Sequence, residues 1–147
     1  MSDDEWRTCE DPAALIAALP ADTPERPLRL FAAACCRRVW GLMPEDDCRR
    51  AVEAVECAAE DPAAAPEADA ALEALQAGYH RVQGAEPGPR GAYLAATVAW
   101  FHDPVEAAQL TARSAAIAAA GDTDGPRWEK ERRAQAELLR RLVERPA

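Results

Sequence analysis

The sequence predicts an all-α fold, an irregular and alanine-rich bundle of about six to seven helices with no sheet. Three observations predict it. Proline punctuates the chain, and at Asp11-Pro12, Thr23-Pro24 and Asp103-Pro104 it follows a residue suited to capping a helix start. A proline in the first turn is tolerated there because the N–H it lacks would find no intrahelical partner anyway. Between these points apolar residues recur three and four apart. β-branched residues are few, and none falls in the alternating run that a half-buried strand requires.

The elements follow in order. A short helix over 11–19 begins at Asp11-Pro12. A second, over 24–42, carries the clearest stripe: Leu28, Phe31, Ala32, Cys35, Val39 and Leu42. The third, 44–60, places Cys48, Val52, Val55 and Ala59 on one face, and the fourth, 66–83, does the same with Ala68, Leu72, Leu75, Tyr79 and Val82. Pro44, Pro66 and Pro126 open their stretches with weaker caps. The fifth helix, 90–102, is apolar almost all round at Tyr93, Leu94, Val98, Trp100 and Phe101. It should be the most buried helix and form the centre with the second and third. The sixth, 104–120, presents Val105, Ala108, Ala112, Ala115 and Ala119, a seam small enough to admit a neighbouring backbone. The seventh, 126–144, sets Trp128, Leu138, Leu139 and Leu142 among charges. Gly41, Gly84 and Gly121 stand where left-handed C-caps belong, and 84–91 and 121–126 read as mobile loops. Glu25 and Arg29, Glu45 and Arg49, Asp46 and Arg50, and Glu137 and Arg141 lie four apart in the favourable order, which marks exposed faces.

At 147 residues the chain is the size of one domain, 1–147, long enough to bury a core without metal or disulfide. Roughly a quarter of it is alanine, against two Phe, two Tyr and four Trp, so each large side chain carries much of the packing volume. A net charge of −9 argues against a nucleic-acid surface, which needs clustered and uncompensated Lys and Arg. The longest apolar run, Gly91 to Phe101, falls short of the ~18 residues expected of a membrane span. The opening Met-Ser-Asp-Asp-Glu-Trp is acidic and lacks the apolar stretch of a secretion signal. The expectation is a cytoplasmic protein with neither membrane nor nucleic acid as a partner.

Five cysteines, Cys9, Cys35, Cys36, Cys48 and Cys57, are the most suggestive chemistry. No Cys-x-x-Cys pair occurs, and an odd count disfavours a closed disulfide framework. Cys35 and Cys36, adjacent on a helix, point about 100° apart and are poorly placed to share a metal. Small buried hydrophobes in a reducing compartment is the simpler reading, with metal or redox use of Cys35, Cys36, Cys48 and Cys9 as its rival. His80 and His102 join no His-x-x-x-His or Glu-x-x-His motif. Asp122, Asp124, Gly125 and Glu131 fit four positions of a calcium loop, but Ala120 occupies the first, where a carboxylate is needed. Glu53, Glu56 and Glu60 align on one helix face, and Arg37, Arg38, Arg49 and Arg50 form a local basic group. Both sets are candidates for contact with a partner. The only serines are Ser2 and Ser114, neither in a nucleophile setting, and no glycine-rich phosphate loop is present.

Glu5-Trp6, Cys9, Asp11-Pro12 and then Arg29-Leu30-Phe31-Ala32-Ala33-Ala34-Cys35-Cys36-Arg37-Arg38-Val39-Trp40 form a further pattern. With Arg49-Arg50-Ala51-Val52-Glu53 and the closing Trp128 to Leu139, it resembles a bacterial family common in large GC-rich genomes. That family shares an N-terminal Glu-Trp, a Cys and an Asp-Pro ahead of an Arg-Leu-Phe-Ala-x-Ala-Cys-Cys-Arg-Arg-x-Trp block. The resemblance covers roughly half the chain and implies no activity, cofactor or site residue. Family members often continue past the last helix with an extension containing Asn-Pro-Phe.

The sequence therefore reads as a non-catalytic helical interaction module for an unidentified protein partner, with no cofactor. A thiol-based metal-binding or redox-responsive protein using Cys35, Cys36 and Cys48 is the alternative. The Cys-Cys-Arg-Arg block reads as folding core. Phe31→Ala should then cost about 3–5 kcal/mol. Arg38→Ala should cost under about 1 kcal/mol provided that its partner is an exposed carboxylate.

Overall fold

The computed structural model describes residues 1–143, and among them every regular element is a helix. Eight α-helices occur: α1 (Asp3–Thr8), α2 (Pro12–Ala17), α3 (Glu25–Arg38), α4 (Asp46–Glu60), α5 (Ala65–Gly78), α6 (Pro87–Val98), α7 (Pro104–Ala120) and α8 (Gly125–Leu142). Short 3₁₀ turns follow α3 (Trp40–Leu42), precede α5 (Pro62–Ala64) and follow it (Tyr79–Val82). No helix among the described residues is long and apolar enough to cross a membrane.

Asp11 and Asp103 cap as their spacing predicts: Asp11 accepts from the Ala13 N–H, and Asp103 from those of Val105 and Glu106. α1 is an element the periodicity misses. It is too short for an apolar stripe, but Ser2 and Glu5 close a capping box, each side chain accepting the other residue's N–H. Its one buried side chain is Trp6. Thr23 does not cap α3; its hydroxyl donates to the Pro20 carbonyl, and Pro24 takes the cap position.

The expected second helix divides. α3 stops at Arg38, the chain tightens into the 3₁₀ turn, and Leu42, meant to end the stripe, is 40% exposed. The loop expected over 84–91 is mostly helix, because α6 opens at Pro87 in the first-turn role that suits proline. α6 also ends earlier than 102, at Val98. The first, third and fourth helices likewise differ from 11–19, 44–60 and 66–83 by a few residues at their ends. Position 144, the expected end of the last helix, lies outside the described residues. Positive φ occurs only at Gly121 and Gly125 among the described residues, so Gly121 is the left-handed cap and Gly41 and Gly84 are not.

One cluster of buried residues runs through the bundle, with Phe31, Leu15, Ile16, Leu28, Leu75, Tyr93 and Leu139 as its largest fully buried apolar members. α3 and α7 are its axis. α3 packs against α4, α6, α7 and α8, and α7 against α2, α3, α6 and α8. The centre expected from α3, α4 and α6 thus gains α7, whose Ala107, Ala108, Ala112, Ala115 and Ala116 are fully buried. Val105 and Ala119 of the anticipated seam face outward, and on α4 Ala58 is buried where Ala59 was expected. Helices α6 and α7 pack closely for a visible reason. A Cβ added at Gly91 would stand 3.0 Å from the Ala118 Cβ, the Ala118 nitrogen and the Ser114 carbonyl oxygen. Only glycine leaves room for that approach.

Candidate functional site

The arginine block works inward. On α3, Arg37 forms a fork with Glu56 of α4 (3.1 and 2.7 Å) and stacks 4.2 Å from the Trp40 ring centroid. Arg26 pairs in the same way with Glu60 at 3.0 and 2.7 Å. Arg38 reaches across to Glu131 of α8 with bonds of 2.7 and 3.0 Å. Glu131 is only 10% exposed, so this partner is a buried carboxylate rather than the exposed one expected. Arg49 donates to the carbonyls of Trp40 and Met43 and to Asp46, fixing the turn between α3 and α4. Arg50 meets Asp47 at 3.4 Å on the surface. Arg37, Arg38, Arg49, Glu56 and Glu60 therefore hold helices and turns together, whereas Glu53 stays exposed without an ion pair among the described residues.

Arg29, expected on an exposed face with Glu25, is 3% exposed. Its guanidinium holds the turn that follows α6, donating to the carbonyls of Ala99, Phe101 and His102, while Nε donates to Glu25 and the plane lies 4.4 Å from the Trp100 centroid. The guanidinium there satisfies backbone carbonyls of the partly buried turn that links α6 to α7. The clue in the sequence is the row Arg29, Ala33, Cys36, spaced by four and three, which runs beside the apolar stripe and is as buried as the stripe itself. Of the other three expected surface pairs, Glu137–Arg141 forms at 3.9 Å and two re-sort: Glu45 takes Arg81, at 2.8 and 3.2 Å, rather than Arg49, and Arg50 takes Asp47 rather than Asp46.

Cys35, Cys36 and Cys48 are fully buried, Cys9 is partly exposed and Cys57 is exposed. Burial pushes the Cys35 and Cys36 thiols far up and that of Cys48 up to about 11, so all three stay protonated and unreactive at neutral pH. No group of three or more His, Cys, Asp and Glu converges to hold a metal among the described residues. The calcium-like stretch is divided in use: Glu131 belongs to Arg38, and the Asp122 carboxylate accepts the Thr123 N–H. His80 caps locally against the Ala77 carbonyl, and the exposed His102 offers its carbonyl to Arg29.

Two open surfaces carry aromatic rings. Around Trp100, adjoining cavities of 300 and 360 Å³ share Glu25, Arg29 and Trp100, and the indole N–H donates to Asp69 at 2.7 Å. The larger cleft, of 460 Å³, lies between the Cys9–Ala13 segment and the start of α8, lined by Cys9, Glu10, Asp11, Ala13, Trp128, Glu129 and Arg132. Arg132 lies 5.2 Å from the Trp128 centroid and touches Asp11 at 3.3 Å and Gln135 at 3.2 Å. Burial lowers its pKa, the reverse of Arg26, Arg37, Arg38 and Arg81, whose forked carboxylates hold theirs above the ordinary value. Neither cleft was singled out from the sequence, because each joins residues distant along the chain. No family model matches the chain, and comparisons with curated proteins and with solved structures found no match.

Proposed function

We propose that the chain is a non-catalytic helical interaction module that docks a basic protein partner through its acidic surface. The observation that carries this reading is how charge is partnered. Eleven ion pairs among the described residues each engage an arginine. Arg140 is spent on the carbonyls of Trp6 and Cys9. Most of the positive charge is thus matched by carboxylates of the same chain, largely at its surface. Glu53 on α4 and Glu67 and Glu73 on α5 stay exposed with no ion pair among the described residues. With 26 acids against 17 bases overall, the outward field is acidic, which favours and steers a basic surface.

The test is capture from native lysate, then reconstitution of the complex from purified components. The expected result is a saturable complex with a basic protein that weakens when Glu53, Glu67 and Glu73 are all changed to Gln. A complex indifferent to those substitutions, or none that reconstitutes, would count against the reading.

A further inference from the structure

We propose that the cleft between Cys9–Ala13 and the first turns of α8 receives a basic side chain, arginine or lysine, from the partner protein. This rests on the reading above that the partner is basic, and adds where it is gripped. Three carboxylates, Glu10, Asp11 and Glu129, line the cleft against one arginine, Arg132. Asp11 is paired with Arg132 at 3.3 Å, and Glu10 with Arg133 at 3.4 Å. Glu129 is left exposed, with no ion pair among the described residues, beside the Trp128 indole that lines the same cleft. An uncompensated carboxylate next to an aromatic face is the pairing that recognises a guanidinium or ammonium group. The indole already accepts one such cation, Arg132, from within the chain.

The walls are fixed in advance. Arg140 donates to the carbonyls of Trp6 and Cys9, the Cys9 thiol donates to the Asp11 carbonyl at 3.5 Å, and Gln109 holds the Ala13 carbonyl at 3.0 Å. A ligand entering a preorganised cleft loses less affinity to ordering the protein. A volume of 460 Å³ accommodates one long side chain with part of its backbone.

Isotope-labelled protein titrated with an acetylated and amidated Gly-Arg-Gly peptide, followed by NMR, tests this. The Trp128 indole N–H and the amides of Cys9, Asp11 and Glu129 should shift and saturate. The same peptide with neutral citrulline in place of arginine should leave them unmoved. Glu129→Gln, a surface change that leaves the fold intact by circular dichroism, should weaken binding about tenfold, as expected for one lost charge contact. An unmoved Trp128 signal, equal shifts with citrulline, or unchanged affinity in Glu129→Gln would overturn the assignment. Shifts confined to α4 and α5 would also overturn it, while leaving the wider reading of an acidic docking surface intact. The reconstituted complex separates the two ideas further: loss of affinity in the Glu53, Glu67 and Glu73 triple variant but not in Glu129→Gln sinks the cleft alone.

Discussion

Arg38→Ala removes both hydrogen bonds from the Glu131 carboxylate, which is nearly buried on α8. A carboxylate left without its counter-ion in such a place is costly, so the substitution should lower stability by about 2–4 kcal/mol, and Glu131→Gln in the same background should recover part of the loss. Chemical denaturation of the single and double variants measures this. The expectation of under about 1 kcal/mol assumed an exposed partner, and the long-range contact from residue 38 to residue 131 is what a local reading of spacing could not supply. Phe31→Ala should still cost about 3–5 kcal/mol, since the ring is fully buried among alanines that cannot refill its volume. The thiols add a pH dependence. Burial raises Cys48 from an ordinary 9.0 to about 11, so the native state keeps its proton where the unfolded chain has lost it. The stability it contributes is complete below about pH 9 and is lost as pH rises toward 11, with Cys35 and Cys36 pulling the same way. Denaturation midpoints measured across that window should fall, and should fall less steeply in Cys48→Ala. The burial of Cys35 was legible from its place on the stripe. The buried charge of Arg29 was hidden by its residue type, although its row with Ala33 and Cys36 was in plain view.

Helices α6 and α7 set the next scale. Alanine for glycine inside a helix ordinarily stabilises by about 1 kcal/mol, but at Gly91 the new Cβ would press on backbone atoms of α7 that cannot yield. Gly91→Ala should therefore destabilise, by about 1–2 kcal/mol. Gly88→Ala, one turn earlier, meets the Ala118 carbonyl oxygen at an ordinary 3.6 Å and should be neutral or slightly stabilising. Thermal unfolding of both variants reads the contrast, and stabilisation at Gly91 would mean that the two helices are not held so closely. The elements themselves were mostly legible. The bounds of α7 match the expected 104–120, because Asp103-Pro104 and Gly121 punctuate both ends with side-chain and backbone chemistry. α1 was missed because six residues cannot show a period, though Ser2 and Glu5 carried its start signal. The run of Gly and Pro over 84–91 read as loop by composition, whereas the burial of Ala92, Tyr93, Ala95 and Ala96 and the packing of α6 on α7 override the weak helix propensity of the first turn.

Across the whole molecule the governing feature is that most arginines are matched by a carboxylate of the same chain, while carboxylates remain in excess. Eleven arginines neutralise partners within the described chain while the net charge stays at −9, so the field that a partner meets is negative. Composition alone made the sign of that field legible. Which carboxylates form ion pairs was not, because Glu56 and Glu60 share a helix face with Glu53 yet, among the described residues, only Glu53 makes no ion pair across the α3–α4 seam. The salt dependence of affinity for the purified partner tests most directly whether this surface docks a basic protein, as proposed above. Affinity should fall steadily as salt rises, and the slope should flatten when Glu53, Glu67 and Glu73 are changed to Gln. An affinity indifferent to salt, with the triple variant binding as tightly as the native protein, would contradict it.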